Sequence, residues 1–119
     1  MPHENTLCLS SHDELYMIDL AKVLYFQADD HYTNVYYTSG AHFLVPFGLV
    51  KVEAQVADQP RAREYLLRLG RKYMVNTSRI FRINTTKELL YLACDDGNIV
   101  SLHIPKAVLR LLIDQMRNP

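Results

Sequence analysis

Short β-type segments follow one another along almost the whole chain, divided by polar or glycine-containing turns, and a chain written this way folds into small antiparallel sheets. Thr6-Leu-Cys-Leu9 and Glu14-Leu-Tyr-Met-Ile18 flank the polar turn from Ser10 to Asp13. Asp19 is placed to cap a helical turn through Leu20-Ala21-Lys22, after which Val23 to Ala28 reads as an apolar strand. Tyr32 to Thr38 is rich in Tyr, Thr and Val, which suit a pleated, half-buried surface. Ser39-Gly40 turns it back into His42-Phe-Leu-Val45, a predicted hairpin. Tyr73 to Val75 and Ile80 to Ile83 read as strands, and Glu88 to Cys94 pairs with Asn98 to Ile104 across the Asp96-Gly97 turn.

Two segments carry helical spacing instead. Pro46 suits a first helical position, and Leu49, Val52 and Val56 follow as a one-sided stripe that Asp58-Gln59-Pro60 ends. Pro105 opens a terminal helix with Leu109, Leu112, Ile113 and Met116 on one face. Strands and helices do not alternate as βαβ units, which disfavours a parallel sheet. There is no repeat of solenoid period and no linker, so the 119 residues read as one domain. The order fits neither a helix-turn-helix nor a zinc finger.

Hydrophobic residues make up 49% of the chain, enough for a core, and no apolar run approaches the roughly 18 residues that cross a bilayer. The first residues lack the basic and hydrophobic regions of a signal peptide, so the expectation is a soluble cytoplasmic protein without membrane association. Cys8 and Cys94 each lie in an apolar strand segment, where free cysteine is expected as a small buried hydrophobe and not as a redox pair.

Enzyme signatures are missing. The four glycines, Gly40, Gly48, Gly70 and Gly97, are too scattered for a phosphate loop, and neither a GxSxG elbow nor an HExxH helix is present. Asp29-Asp30-His31 has metal-ligand chemistry, but adjacent extended residues point in alternate directions, which favours a polar loop. His3, His12, His42 and His103 have no partner at ligand spacing, so no metal or cofactor is expected. Tyr36 and Tyr37 read together as core aromatics, with the inward one of the two left open.

Charge is more informative than its zero total. Residues 1–58 hold two basic and eight acidic side chains, a net of −6, whereas residues 61–82 hold seven basic and one acidic, a net of +6. The basic block is Arg61, Arg63, Arg68, Arg71, Lys72, Arg79 and Arg82, an electrostatic footprint for a polyanion or an arginine-rich solvated face.

Two stretches carry a family resemblance. Val23-Leu-Tyr-Phe-Gln-Ala-Asp-Asp-His-Tyr-Thr-Asn-Val35 resembles the first signature of LytTR domains: an apolar strand, a Glu-Ala-like pair, a polar loop with Asn-Tyr, and a second strand. Arg68-Leu-Gly-Arg-Lys-Tyr-Met-Val-Asn76 resembles the second, which usually reads Arg-Ile-His-Arg-Ser-Tyr-Ile-Val-Asn. Ile80, the Asp96-Gly97 turn and a final helix complete the order, so the resemblance runs from Leu7 to Met116.

The resemblance implies a mainly β, elongated fold of three small antiparallel sheets, about ten short strands in all, with two α-helices. It implies a bacterial transcription regulator, or the output domain of a response regulator, that binds promoter DNA through loops reaching successive grooves. The implied DNA-binding residues lie in three places. In the first loop they are His31, Tyr32, Thr33 and Asn34, with Thr33 at a base-reading position. The second place holds Arg68, Arg71 and Lys72, with Arg71 at the groove. At the start of the last helix they are Lys106 and Arg110, where helix N–H groups are also available to a phosphate. Arg71 suits guanine or a narrow minor groove, while Arg68, Lys72 and Arg110 suit phosphates. The family's usual receiver domain is not in these residues, so an upstream receiver or sensor is an implied partner, as is a second copy on repeated half-sites. Gly70, Lys72 and Pro105 depart from the family pattern, and Asp29 and Asp30 would repel phosphate. These departures keep open an interaction module that retains the fold without DNA binding.

Overall fold

Residues 5–117 are described by the structure, a computed structural model. β1 (Thr6–Ser10) and β2 (Leu15–Asp19) form a two-stranded sheet. The central sheet holds β3 (Val23–Asp29), β4 (Tyr32–Tyr37), β5 (His42–Val45), β6 (Leu66–Leu69) and β7 (Tyr73–Asn76) in the order β5-β4-β3-β7-β6. A third sheet has β8 (Ile80–Asn84), β9 (Leu89–Ala93) and β10 (Ile99–His103) in the order β10-β9-β8. Every pairing is antiparallel. The helices are α1 (Leu49–Ala57), the four-residue α2 (Ala62–Tyr65) and α3 (Lys106–Arg117). The molecule is elongated, 45 × 27 × 27 Å.

Both faces of the central sheet are covered, because its strands carry apolar side chains on both sides. One face buries Phe26, Val35 and Met74 under Val52 and Val56 of α1, together with Leu7, Leu9 and Ile18 of the first sheet. The other buries Tyr25, Leu69, Tyr73 and Val75 against Leu90, Leu92 and Leu102 of the third sheet and Leu109 and Leu112 of α3. A register shift between Val23 and Tyr25 turns both Leu24 and Tyr25 toward this second core. Tyr37 packs on the first core and Tyr36 on the second, so each tyrosine is inward on its own face.

The chain passes between sheets twice by the same device. Asp19 ends β2, and its Oδ1 accepts the Ala21 N–H (3.2 Å), capping a 3-10 turn over Leu20–Lys22 that leads into β3. Asn76 ends β7, and its Oδ1 accepts the Ser78 N–H (3.0 Å), capping a 3-10 turn over Thr77–Arg79 that leads into β8. The cap dihedrals nearly coincide, φ −81° and ψ 99° at Asp19 against φ −82° and ψ 105° at Asn76.

The structure differs from the sequence reading at several points. α1 starts at Leu49 with Gly48 as its cap, not at Pro46, because Pro46-Phe47 is a bend whose Phe47 carbonyl accepts the Thr33 hydroxyl. The segment after Pro60 contains α2 and β6; β6 contributes to both cores and so shows no strand alternation in sequence. Cys8 is exposed and Cys94 half-buried, so the expectation of two buried cysteines fails. In β1 the leucines on either side of Cys8 take the inward positions, and alternation sends the cysteine out.

Candidate nucleic-acid interface

Three connections meet at one end of the central sheet, because β3, β5 and β6 end there while β4 and β7 begin there. The β3–β4 turn is only Asp30-His31, with Asp30 at φ +57°, a left-handed conformation that Asp tolerates better than most side chains. The β6–β7 turn is Gly70-Arg71-Lys72, with Gly70 at φ +69°. The Lys72 carbonyl accepts the Ala28 N–H (2.8 Å), which ties this turn to β3. With the start of α1 the two turns enclose a cleft of about 350 Å³, lined by Asp30, His31, Arg68, Arg71 and residues 48–50.

The implied site residues divide. His31, Arg68 and Arg71 come together at this cleft. Arg71 is exposed, and its guanidinium has no partner among the described residues. Lys72 is exposed next to it, its Nζ 5.5 Å from the Tyr73 ring centre. Tyr32 is exposed and Asn34 half-buried on β4, both on the sheet face opposite Val35.

Thr33 is fully buried, and its Oγ1 donates to the Phe47 carbonyl (2.7 Å), so the side chain anchors the β5–α1 connection. Arg68 is also engaged. Nε donates to the Gly70 carbonyl (2.9 Å), Nη2 to the Arg71 carbonyl (3.0 Å) and Nη1 to Glu53 Oε1 (2.8 Å), which does not fit a free phosphate contact.

Lys106 and Arg110 are exposed on α3 and do not line the cleft. The expected phosphate seat at that helix start is occupied from within: the Lys106 N–H donates to Glu88 Oε2 (2.7 Å). A carboxylate there already complements the helix dipole and would repel a second anion. Two more cations of the basic block are committed elsewhere, since Arg79 pairs with Asp95 (2.7 Å) and the Arg82 guanidinium lies 4.7 Å over the Tyr91 ring. What reads as one block in sequence is therefore spread over the molecule.

Other titratable groups serve the fold. Tyr25 is held protonated well above the ordinary tyrosine range, chiefly by burial and then by neighbouring Tyr36 and Tyr73. Burial also pushes the Cys94 thiol up, Asp96 and Asp95 add to this, and Arg79 opposes it. His42 stacks on Tyr36 (5.3 Å), and His103 lies 3.6 Å from Glu88. His3 lies outside the described residues. Among the described residues no three His, Cys, Asp or Glu side chains gather as a metal site, and no helix is long and apolar enough to cross a membrane.

Glu53 and the start of α1 are site elements that sequence reasoning missed. Their only signal was an acid on the helix's polar side, which does not reveal that α1 brings Glu53 to Arg68 of β6.

Comparison with known proteins agrees with this architecture. No curated protein matches the chain. A solved LytTr DNA-binding domain from Bacillus cereus shares the fold with a TM-score of 0.63 at 19% sequence identity, covering 94% of this chain and 96% of that one. The family model described as the LytTr DNA-binding domain matches residues 13–112. The chain belongs to the LytTr DNA-binding domain family.

Proposed function

We propose that this domain binds double-stranded promoter DNA sequence-specifically, inserting the loops at the end of the central sheet into successive grooves. The observation that carries the reading is Arg71: an exposed, unpaired guanidinium (among the described residues) on a turn tied to its neighbours, in a family of DNA-binding domains. Its fork matches guanine O6 and N7 or a narrow minor groove. Lys72 and, from α3, Lys106 and Arg110 supply phosphate contacts that give affinity and register without sequence choice. His31, Tyr32 and Asn34 flank the same turn. The long axis of 45 Å exceeds the ~34 Å of one duplex turn, which suits a protein that reads neighbouring grooves. The domain acts as a bacterial transcription regulator, alone or as the output of a response regulator. An upstream receiver or sensor and a second copy on repeated half-sites are its further partners.

A second reading has one observation in its favour. Asp30 lines the same cleft as Arg71, and exposed Asp29 stands beside it, an acidic pair that suits a protein partner better than a phosphate backbone. In vitro selection of bound duplexes from a random library at two salt concentrations separates the two. Enrichment of a short repeated motif, with affinity falling as salt rises, supports the regulator. No enrichment and no salt slope replaces it with the interaction module.

A further inference from the structure

Arg68 is the best-anchored cation of the loop end, and its partners are unusual for a DNA contact. Three of its five N–H donors are engaged, two by successive carbonyls of the turn that follows it and one by a carboxylate on another element. The side chain is 20% exposed, against 41% for Glu53. The guanidinium is a rigid planar fork, so the carbonyls of Gly70 and Arg71 meet it together only in one turn conformation, the one with Gly70 at φ +69°. Glu53 holds the fork from α1, which is itself fixed because Val52 and Val56 are fully buried on the central sheet.

We infer that Arg68 is a positioning residue: with Glu53 it fixes the Gly70-Arg71-Lys72 turn so that Arg71 is presented in one geometry, and it thereby sets sequence discrimination instead of phosphate affinity. The inference rests on the DNA-binding reading for its consequence, but the clamp itself belongs to the free protein. A turn held in its binding conformation loses less freedom on association, and that saving applies only where Arg71 finds its matching base.

The two roles for Arg68 give Glu53→Ala opposite signs. If Arg68 is a phosphate contact, removing the nearby carboxylate strengthens binding to every duplex, because a repulsive charge is lost and the cation is freed. If Arg68 positions Arg71, the same change weakens binding to the preferred duplex alone. Glu53 sits partly exposed on a helix and Ala is a strong helix former, so the variant folds.

The first test is on the protein without DNA: backbone NMR order parameters at Gly70 and Arg71 in the wild type, Glu53→Ala and Arg68→Lys. Arg68→Lys keeps the charge and loses the fork. The expectation is a fall from about 0.85 to below about 0.6 in both variants; unchanged values overturn the clamp. The second test measures affinity for the duplex enriched by selection and for a scrambled duplex across salt concentrations. Glu53→Ala should lower the ratio of the two affinities about tenfold with an unchanged salt slope, and should change nothing further in an Arg71→Ala background. A uniform gain in affinity, or a loosened turn with full discrimination, overturns the positioning role. If the wild type prefers no duplex, the DNA-binding reading fails on its own, and the order parameters still decide the clamp.

Discussion

At Arg71 an exposed guanidinium stands on a turn whose neighbouring carbonyls are held by Arg68 and by the Ala28 N–H. Its replacement should therefore affect recognition and not folding. Arg71→Ala is expected to cost about 1–3 kcal/mol of specific binding, read by fluorescence anisotropy, with the melting temperature unchanged. Thr33 behaves oppositely. Thr33→Val leaves the Phe47 carbonyl without its donor and should cost about 1 kcal/mol of stability in a urea titration. It should leave the selected DNA motif unchanged; an altered motif would return Thr33 to the recognition surface. The two cysteines should separate by reactivity. Cys8 is exposed on β1, whereas burial and the carboxylates of Asp95 and Asp96 hold Cys94 as a thiol. Alkylation near neutral pH, followed by mass spectrometry, should modify Cys8 about tenfold faster; equal rates would contradict the shielding of the half-buried Cys94.

At the scale of elements, the paired 3-10 connections explain how one chain supplies three sheets without long crossovers. Each cap lets the strand leave one sheet and enter the next within three residues. The two are not equal in weight. Asn76 is buried, its Nδ2 donates to the Val23 carbonyl (2.8 Å), and its Oδ1 accepts both the Ser78 N–H and the Ser78 hydroxyl. Asp19 is half-exposed and accepts the Ala21 N–H at 3.2 Å. Asn76→Ala should thus cost about 2–3 kcal/mol and Asp19→Ala about 1 kcal/mol in denaturant titrations. Equal losses would mean that the bond from Asn76 to β3 contributes little. Asp95 plays the complementary part on the third sheet, accepting from both the Thr38 hydroxyl (3.0 Å) and Arg79.

At the scale of the molecule, the central sheet is shared by two cores, which predicts that the three sheets unfold as one cooperative unit. Phe26 is fully buried on one face and Leu90 on the other side's third sheet. Phe26→Ala and Leu90→Ala are each expected to remove about 2–5 kcal/mol, and each should shift a single transition. The chain has no Trp, so tyrosine fluorescence and far-UV circular dichroism are the probes. Coincident curves support one unit; a separate early transition in Leu90→Ala would detach the third sheet from the rest. The strands that carry the loop end are packed on both sides.

The sequence by itself determined the local grammar: strands where Tyr, Val and Ile recur, hairpins at Gly40 and Gly97, the cap at Asp19, and apolar stripes on α1 and α3. Those depend on backbone preference and periodicity within a few residues, which a sequence displays directly. The two signatures around Asp29–Asn34 and Arg68–Asn76 likewise marked the loop end and the family. Only the tertiary structure decided which polar groups at that end are free. Thr33 and Arg71 look equally available in sequence, yet one hydroxyl is buried on Phe47 and the other side chain is open. Arg68, Arg79 and Arg82 look like a common patch, yet Glu53, Asp95 and Tyr91 engage them in different places. Burial and partner choice depend on residues 14 to 16 positions away and more. Those contacts exist only after the sheets have stacked, so the charge and hydrogen-bonding capacity left over for a ligand is a property of the packed molecule.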